Sequence, residues 1–75
     1  MTKITINLAT INHVKQFVNI VAKYDFDVDL VSGRYAIDAK SIMGIFSLDL
    51  SKPLNVELHT DDSASILADL KEFIV

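Results

Sequence analysis

Four short segments of this 75-residue chain alternate apolar and polar residues, so each predicts a β-strand with one buried face. The first runs from Lys3 to Leu8, and Ser32-Gly33 separates the second and third as a predicted hairpin turn. A strand that is apolar on one side only must have that side covered, so the helices are expected to pack on one face of the sheet. The alternating apolar residues are Ile4, Ile6 and Leu8; Phe26, Val28 and Leu30; Tyr35 and Ile37; and Leu54, Val56 and Leu58.

Three segments outside these strands have helical spacing instead. They predict a helix from Asn12 to Tyr24, a short helix after Ser41, and a helix from Ser63 to Ile74. The order strand, helix, strand, strand, helix, strand, helix is typical of an α+β open-faced sandwich, in which three helices cover one face of a four-stranded antiparallel sheet. We expect six helical residues to be largely buried: Val14, Val18, Val21, Leu67, Leu70 and Ile74.

Composition excludes several functions. Seventy-five residues predict a single domain over residues 1–75, and the absence of cysteine excludes disulfides and thiolate metal sites. Seven dispersed basic residues against ten acidic ones, with a formal net charge of -3, disfavour nucleic-acid binding, which needs basic residues clustered on one face. With no signal-peptide pattern and no apolar run long enough to cross a bilayer, the chain is expected to be cytoplasmic and not inserted in a membrane. It is also expected to be a monomer by default and to bind no cofactor and no metal.

The segment Ala39-Lys40-Ser41-Ile42-Met43-Gly44, followed by Ile45-Phe46-Ser47-Leu48, resembles the second signature of the HPr family. Members of that family are the small histidine-containing phosphocarriers of the bacterial sugar phosphotransferase system. The spacing from Gln16-Phe17-Val18 to Lys40-Ser41 also matches the family without a gap. The resemblance implies an HPr-like fold and a regulatory phosphorylation site at Ser41, which begins the short helix and is also a good helix cap.

The first signature of the family does not match. Counting back from Phe17-Val18, the position of the phosphorylated histidine is Thr10, that of the family's arginine is Asn12, and that of its proline is His13. Imidazole is a good nucleophile near pH 7, and arginine pairs with phosphoryl oxygens as a planar fork. A threonine hydroxyl would form a stable phosphoester, and asparagine carries no charge, so histidine phosphotransfer is not expected.

The chain has two histidines, His13 and His59, that are candidates to replace the missing one. By helical angle, His13 lies about a quarter turn from the apolar stripe, so we expect its ring beside the first helix and away from the free N–H groups. His59 follows the fourth strand and is interpreted as an exposed strand-end residue. The two have no local ligand spacing, so no two-histidine metal site is predicted.

A partner-binding surface is predicted next to Ser41. Phe17 and Ile20 lie at the margin of the first helical stripe, and the short helix holds more apolar side chains than it can bury. An exposed apolar patch commonly marks a protein interface. The residues predicted to contribute to it are Phe17, Ile20, Met43, Ile45 and Phe46.

The sequence therefore favours a regulatory, partner-binding HPr-like protein that is not an enzyme and does not transfer phosphate through histidine. The resemblance implies protein partners of the phosphotransferase and carbon-regulation type, such as a regulatory kinase and a transcriptional regulator. One alternative is a working phosphocarrier that uses His13. Another is an ACT-type small-molecule sensor, although residues 9–12 lack the glycine of its ligand loop. The last is a degenerate relic of the family.

Overall fold

Seven elements make up the structure, a computed structural model that describes residues 1–75. In chain order they are β1 (Thr2–Ile6), α1 (Ile11–Val21), β2 (Val28–Ser32), β3 (Tyr35–Asp38), α2 (Ile42–Phe46), β4 (Leu54–Leu58) and α3 (Ala64–Asp69). None of the helices is long and apolar enough to traverse a lipid bilayer. The strands form one sheet in the order β1-β4-β2-β3, with each neighbouring pair antiparallel. The predicted α+β sandwich of four antiparallel strands and three helices is thereby confirmed.

Only one face of the sheet is buried. Val56 and Leu30 are directly opposite each other on β4 and β2, and both are fully buried. The next positions, Glu57 and Asp29, are also opposite each other but project to the other face, because successive side chains of a strand alternate. All three helices therefore cover the same face. The fifteen core residues, all apolar, are Ile6, Leu8, Val14, Phe17, Val21, Val28, Leu30, Ala39, Ile45, Leu54, Val56, Leu58, Ile66, Leu70 and Phe73.

The first helix ends earlier than the sequence predicts. After Val21 the backbone tightens, with the N–H of Tyr24 donating to the Val21 carbonyl at 3.1 Å, a three-residue step. The Tyr24 hydroxyl then donates to Asp69 Oδ2 at 2.6 Å, which joins the end of α1 to the end of α3. This hydrogen bond raises the pKa of Tyr24, with partial desolvation and the negative charge of Asp69 adding to the effect.

The C-terminal segment departs further from its predicted helix, because α3 ends at Asp69. The last residues lie along the free edge of β1, where Asn7 N donates to Phe73 O at 2.9 Å and Val75 N donates to Thr5 O at 3.0 Å. Ile74 is 37% exposed in consequence, so the prediction that it is buried is wrong. Of the other five, Val14, Val21 and Leu70 are fully buried, whereas Val18 and Leu67 are only partly buried.

Two residues predicted for the exposed patch, Phe17 and Ile45, are also fully buried, so the prediction of their exposure is wrong. Phe17 lies three residues after Val14 and four before Val21, which places it in the middle of the buried stripe. Ile45 is buried because α2 contacts both α1 and β3 and so contributes to the same core. Phe17 and Ile45 therefore help to hold the fold together and are not available to a partner.

Candidate functional site

Thr10 is the N-cap of α1. Its backbone is extended, with φ of -131° and ψ of 162°, and its side-chain oxygen accepts a hydrogen bond from the N–H of His13 at 3.1 Å. Its carbonyl oxygen accepts from the N–H of Val14 at 3.1 Å. Thr10 is exposed. A cap of this kind stabilises a helix by about 1 kcal/mol, so the threonine has a structural role whatever else it does.

His13 lies in the first turn of α1, and its side chain packs beside the helix. The imidazole meets Phe73 edge-on, with ring centroids 5.6 Å apart and planes inclined at 69°. Phe73 belongs to the C-terminal segment that lines β1, and it is 3% exposed. The contact leaves His13 half-buried, whereas Asn12 is exposed.

Ser41 is the N-cap of α2, with an extended backbone at φ of -98° and ψ of 96°. Its side-chain oxygen accepts from the N–H of Gly44 at 3.4 Å, a long contact, and its carbonyl oxygen accepts from the N–H of Ile45 at 3.1 Å. Ser41 is exposed. The hydroxyl is therefore accessible at the start of the helix and only weakly held by its cap interaction.

Lys40 fixes the entry to α2. Its ammonium group donates to the carbonyl oxygen of Tyr24 at 2.8 Å, and its N–H donates to Asp38 Oδ1 at 2.9 Å. The first of these bonds reaches the end of α1, and the second reaches the end of β3. The residue that precedes Ser41 is consequently held both to the segment after α1 and to the end of β3.

Gly44 allows α2 to approach the sheet closely. A Cβ atom at this position would lie 2.7 Å from Ile37 Cγ2 on β3 and 3.2 Å from the side-chain oxygen of Ser41. The first distance is well below a van der Waals contact, and Cγ2 is attached directly to the branched Cβ of isoleucine. Only glycine fits here without a shift of the helix or of β3.

Met43 and Phe46 form the exposed apolar part of α2, which we name the α2 surface. Met43 is 76% exposed and Phe46 is 39% exposed. Ile20, also predicted for the patch, is half-buried and packs against the core. The α2 surface is therefore smaller than the predicted patch, but it does place apolar side chains within five residues of Ser41.

A polar group on the open face of the sheet was missed by sequence reasoning. His59 is exposed, as its interpretation as a strand-end residue implies, and its ring nitrogen Nε2 lies 3.0 Å from Asp29 Oδ2. Glu57 is directly opposite Asp29 in the β2–β4 register. Glu57 and His59 are two residues apart, and side chains with this spacing in a strand point to the same face. This spacing is the signal in the sequence that the two lie together. The register with β2 was not available from the sequence.

Comparison with protein families shows where the chain belongs. The family model for the phosphotransferase-system HPr component phosphorylation site matches residues 4–75. The chain belongs to the HPr family. The match extends over nearly the whole chain, including the N-termini of α1 and α2.

A solved structure supports the fold of this HPr-family chain. The crystal structure of HPr-C-His from Thermoanaerobacter tengcongensis superposes with a TM-score of 0.79 at 24% identity, covering 96% of this chain and 89% of that one. At this identity the likeness shows a common HPr-like fold. A search of curated proteins gave no match.

Because a Cβ atom at position 44 would lie too close to Ile37, the effect of Gly44→Ala on the free energy of unfolding should depend on the side chain at position 37. Gly44→Ala should destabilise the protein by about 1–2 kcal/mol, because the overpacking cost exceeds the helix propensity that alanine adds. In an Ile37→Ala background, where Cγ2 is absent, the same substitution should be neutral or stabilising. Urea unfolding of the four proteins measures both values. An equal loss in the two backgrounds would show that the close approach is not the reason for the glycine.

Proposed function

We propose that this HPr-family protein acts by binding partner proteins and does not carry a phosphoryl group on a histidine. The observation that supports the proposal is Thr10 at the N-cap of α1, the position to which the spacing from Phe17-Val18 assigns the family's phosphorylated histidine. Family membership supports protein partners in general, because HPr proteins interact with other phosphotransferase-system proteins.

The chemistry of the α1 N-terminus supports the same conclusion. A carrier must accept and release its phosphoryl group near equilibrium, and a neutral imidazole does so because it is a good nucleophile near pH 7. The Thr10 hydroxyl is not basic at neutral pH, and its oxygen accepts the N–H of His13. Asn12, at the family's arginine position, has no charge to pair with phosphoryl oxygens. The helix N-terminus can attract an anion, but attraction alone does not transfer it.

His13 is the alternative carrier, and its packing argues against that role. Its ring rests edge-on against Phe73, which is nearly fully buried. A phosphoryl group on this ring would lie beside the apolar side chain of Phe73, and not at the N-cap of α1.

The start of α2 offers the features of a regulated docking surface. Ser41 has an exposed hydroxyl, and the α2 surface of Met43 and Phe46 follows it directly. Phosphorylation would add about two negative charges at a helix N-terminus, where the unpaired N–H groups and the helix dipole favour them. We infer that Ser41 modification places charge at the rim of the apolar surface and so changes which partner binds. Rim charges chiefly select among partners.

Phosphotransfer provides the first test. Incubated with enzyme I and phosphoenolpyruvate, the protein should acquire no acid-labile phosphate, because neither histidine is at the α1 N-cap. A working HPr in the same reaction is the positive control. Intact-mass spectrometry before and after mild acid measures the label. An acid-labile phosphoryl group that is lost in His13→Gln would establish the alternative carrier and overturn the proposal.

Regulation at Ser41 provides the second test. The HPr-type serine kinase with ATP should phosphorylate the chain at Ser41, and Ser41→Ala should remove the label while Ser65→Ala, at another exposed serine, keeps it. Met43→Ala should weaken binding to the regulatory partner by about tenfold or more, since apolar contacts at an interface centre dominate affinity. Val75→Ala removes a 65% exposed side chain beside β1, at the other edge of the sheet from β3, and is the matched control.

Calorimetric titration of the phosphorylated and unphosphorylated forms measures these affinities. Equal affinity of both forms for the kinase and for the transcriptional regulator would leave Ser41 with its capping role only. Equal losses for Met43→Ala and Val75→Ala would remove the α2 surface from the interface.

A further inference from the structure

The open face of the sheet brings like charges together. Asp29 lies directly between Glu57 on β4 and Asp38 on β3, so three carboxylates stand in one row across neighbouring strands. Like charges directly opposite each other destabilise a sheet. The fourth member of the row is Lys3 on β1, whose ammonium group is 4.0 Å from Glu57 Oε2. One exposed lysine at the end of the row leaves Asp29 without a cation of its own.

A nitrogen ligand stands beside two of these carboxylates. His59 follows Glu57 by two residues, and its backbone N–H donates to the carbonyl oxygen of Asp27 at 3.0 Å, which holds it beside the start of β2. Its Nε2 lies 3.0 Å from Asp29 Oδ2. Ligand atoms of Asp29, Glu57 and His59 all lie within 4.8 Å of one another. One imidazole and two carboxylates therefore converge from two paired strands.

We propose that Asp29, Glu57 and His59 form a binding site for a divalent transition-metal ion, with zinc as the probe. Metal bonds to imidazole nitrogen and carboxylate oxygen are about 2.0–2.2 Å long, so two such ligands in a coordination shell are about 3.0–3.4 Å apart. The 3.0 Å between His59 and Asp29 already has this value. Glu57 has to close the remaining gap, and its side chain, 29% exposed, has three rotatable bonds with which to do so.

The donor set decides the class of ion. Magnesium and calcium prefer oxygen ligands alone, whereas imidazole suits zinc, copper, iron and nickel. Water would complete the shell on the solvent side, because the sheet face carries no helix. The ion would take the place between Nε2 and Oδ2 that a hydrogen bond fills otherwise. Its positive charge would also offset the repulsion between the carboxylates of Asp29 and Glu57, and its bonds would link β2 to β4.

This site is separate from the proposed docking function. Thr10 and Ser41 are on the helices that cover the other face of the sheet. A metal ion that binds only the folded protein raises its stability by RT ln(1 + L/Kd), where L is the concentration of the free ion, whether or not a partner binds at α2. Loss of either property thus leaves the other measurable.

Titration with zinc at pH 7.5 tests the site. Calorimetry measures the binding, and the imidazole NMR resonances of the two histidines show which of them binds. We expect one equivalent to bind, with the resonances of His59 shifted and those of His13 unchanged. Asp29→Asn, Glu57→Gln and His59→Gln should each weaken binding at least tenfold. Lys3→Ala should strengthen it a few-fold, because the ion then no longer competes with an ammonium group for Glu57.

Two matched controls use the same residue types on the helical side. His13→Gln and Glu72→Gln should leave zinc affinity unchanged, and circular dichroism without metal should show that every variant is folded. Absence of saturable binding would overturn the proposal. So would binding that disappears in His13→Gln, or that persists in the Asp29, Glu57 and His59 variants. Magnesium bound as tightly as zinc would also overturn it, since that would show a charge effect without the imidazole.

Discussion

The fold depends on covering one face of a small four-stranded sheet. A domain of this size buries only about 60% of the surface that its unfolded chain exposes, so each core side chain carries a large share of the stability. Phe17 lies at the centre of this contact, in the middle of the buried stripe of α1. Because the core is formed on one side only, the outer surfaces of the helices face solvent on one side of the molecule, and the opposite sheet face stays open on the other.

The covered and open sides of the sheet keep three features apart on one small chain: the start of α1, the start of α2 and the polar group on the open face. Thr10 caps the start of α1, and Ser41 caps the start of α2, which also has the glycine that lets the helix sit against Ile37. The open face joins Asp29 and His59. In the function proposed for this HPr-family member, the start of α2 would serve regulation, and the start of α1 would not transfer phosphate.

The sequence was sufficient for the architecture because each strand has one apolar side and the helices have regular stripes. It failed where the outcome depended on tertiary contact. Ile74 continues the helical spacing of α3, yet backbone pairing with β1 takes residues 73–75 out of the helix. Phe17 and Ile45 are predicted to be exposed because the sequence does not show how closely α1 and α2 pack against each other. The Asp29–His59 contact depends on the β2–β4 register, which no local pattern specifies.

The proposed function implies that the start of α1 lacks the groups that accept and hold a phosphoryl group. The most direct measurement restores those groups in the double variant Thr10→His, Asn12→Arg and follows phosphorylation by enzyme I and phosphoenolpyruvate beside the wild type. The account predicts an acid-labile phosphate on residue 10 of the double variant and none on the wild type. Wild-type protein labelled on His13 as fast as the double variant on residue 10 would contradict it.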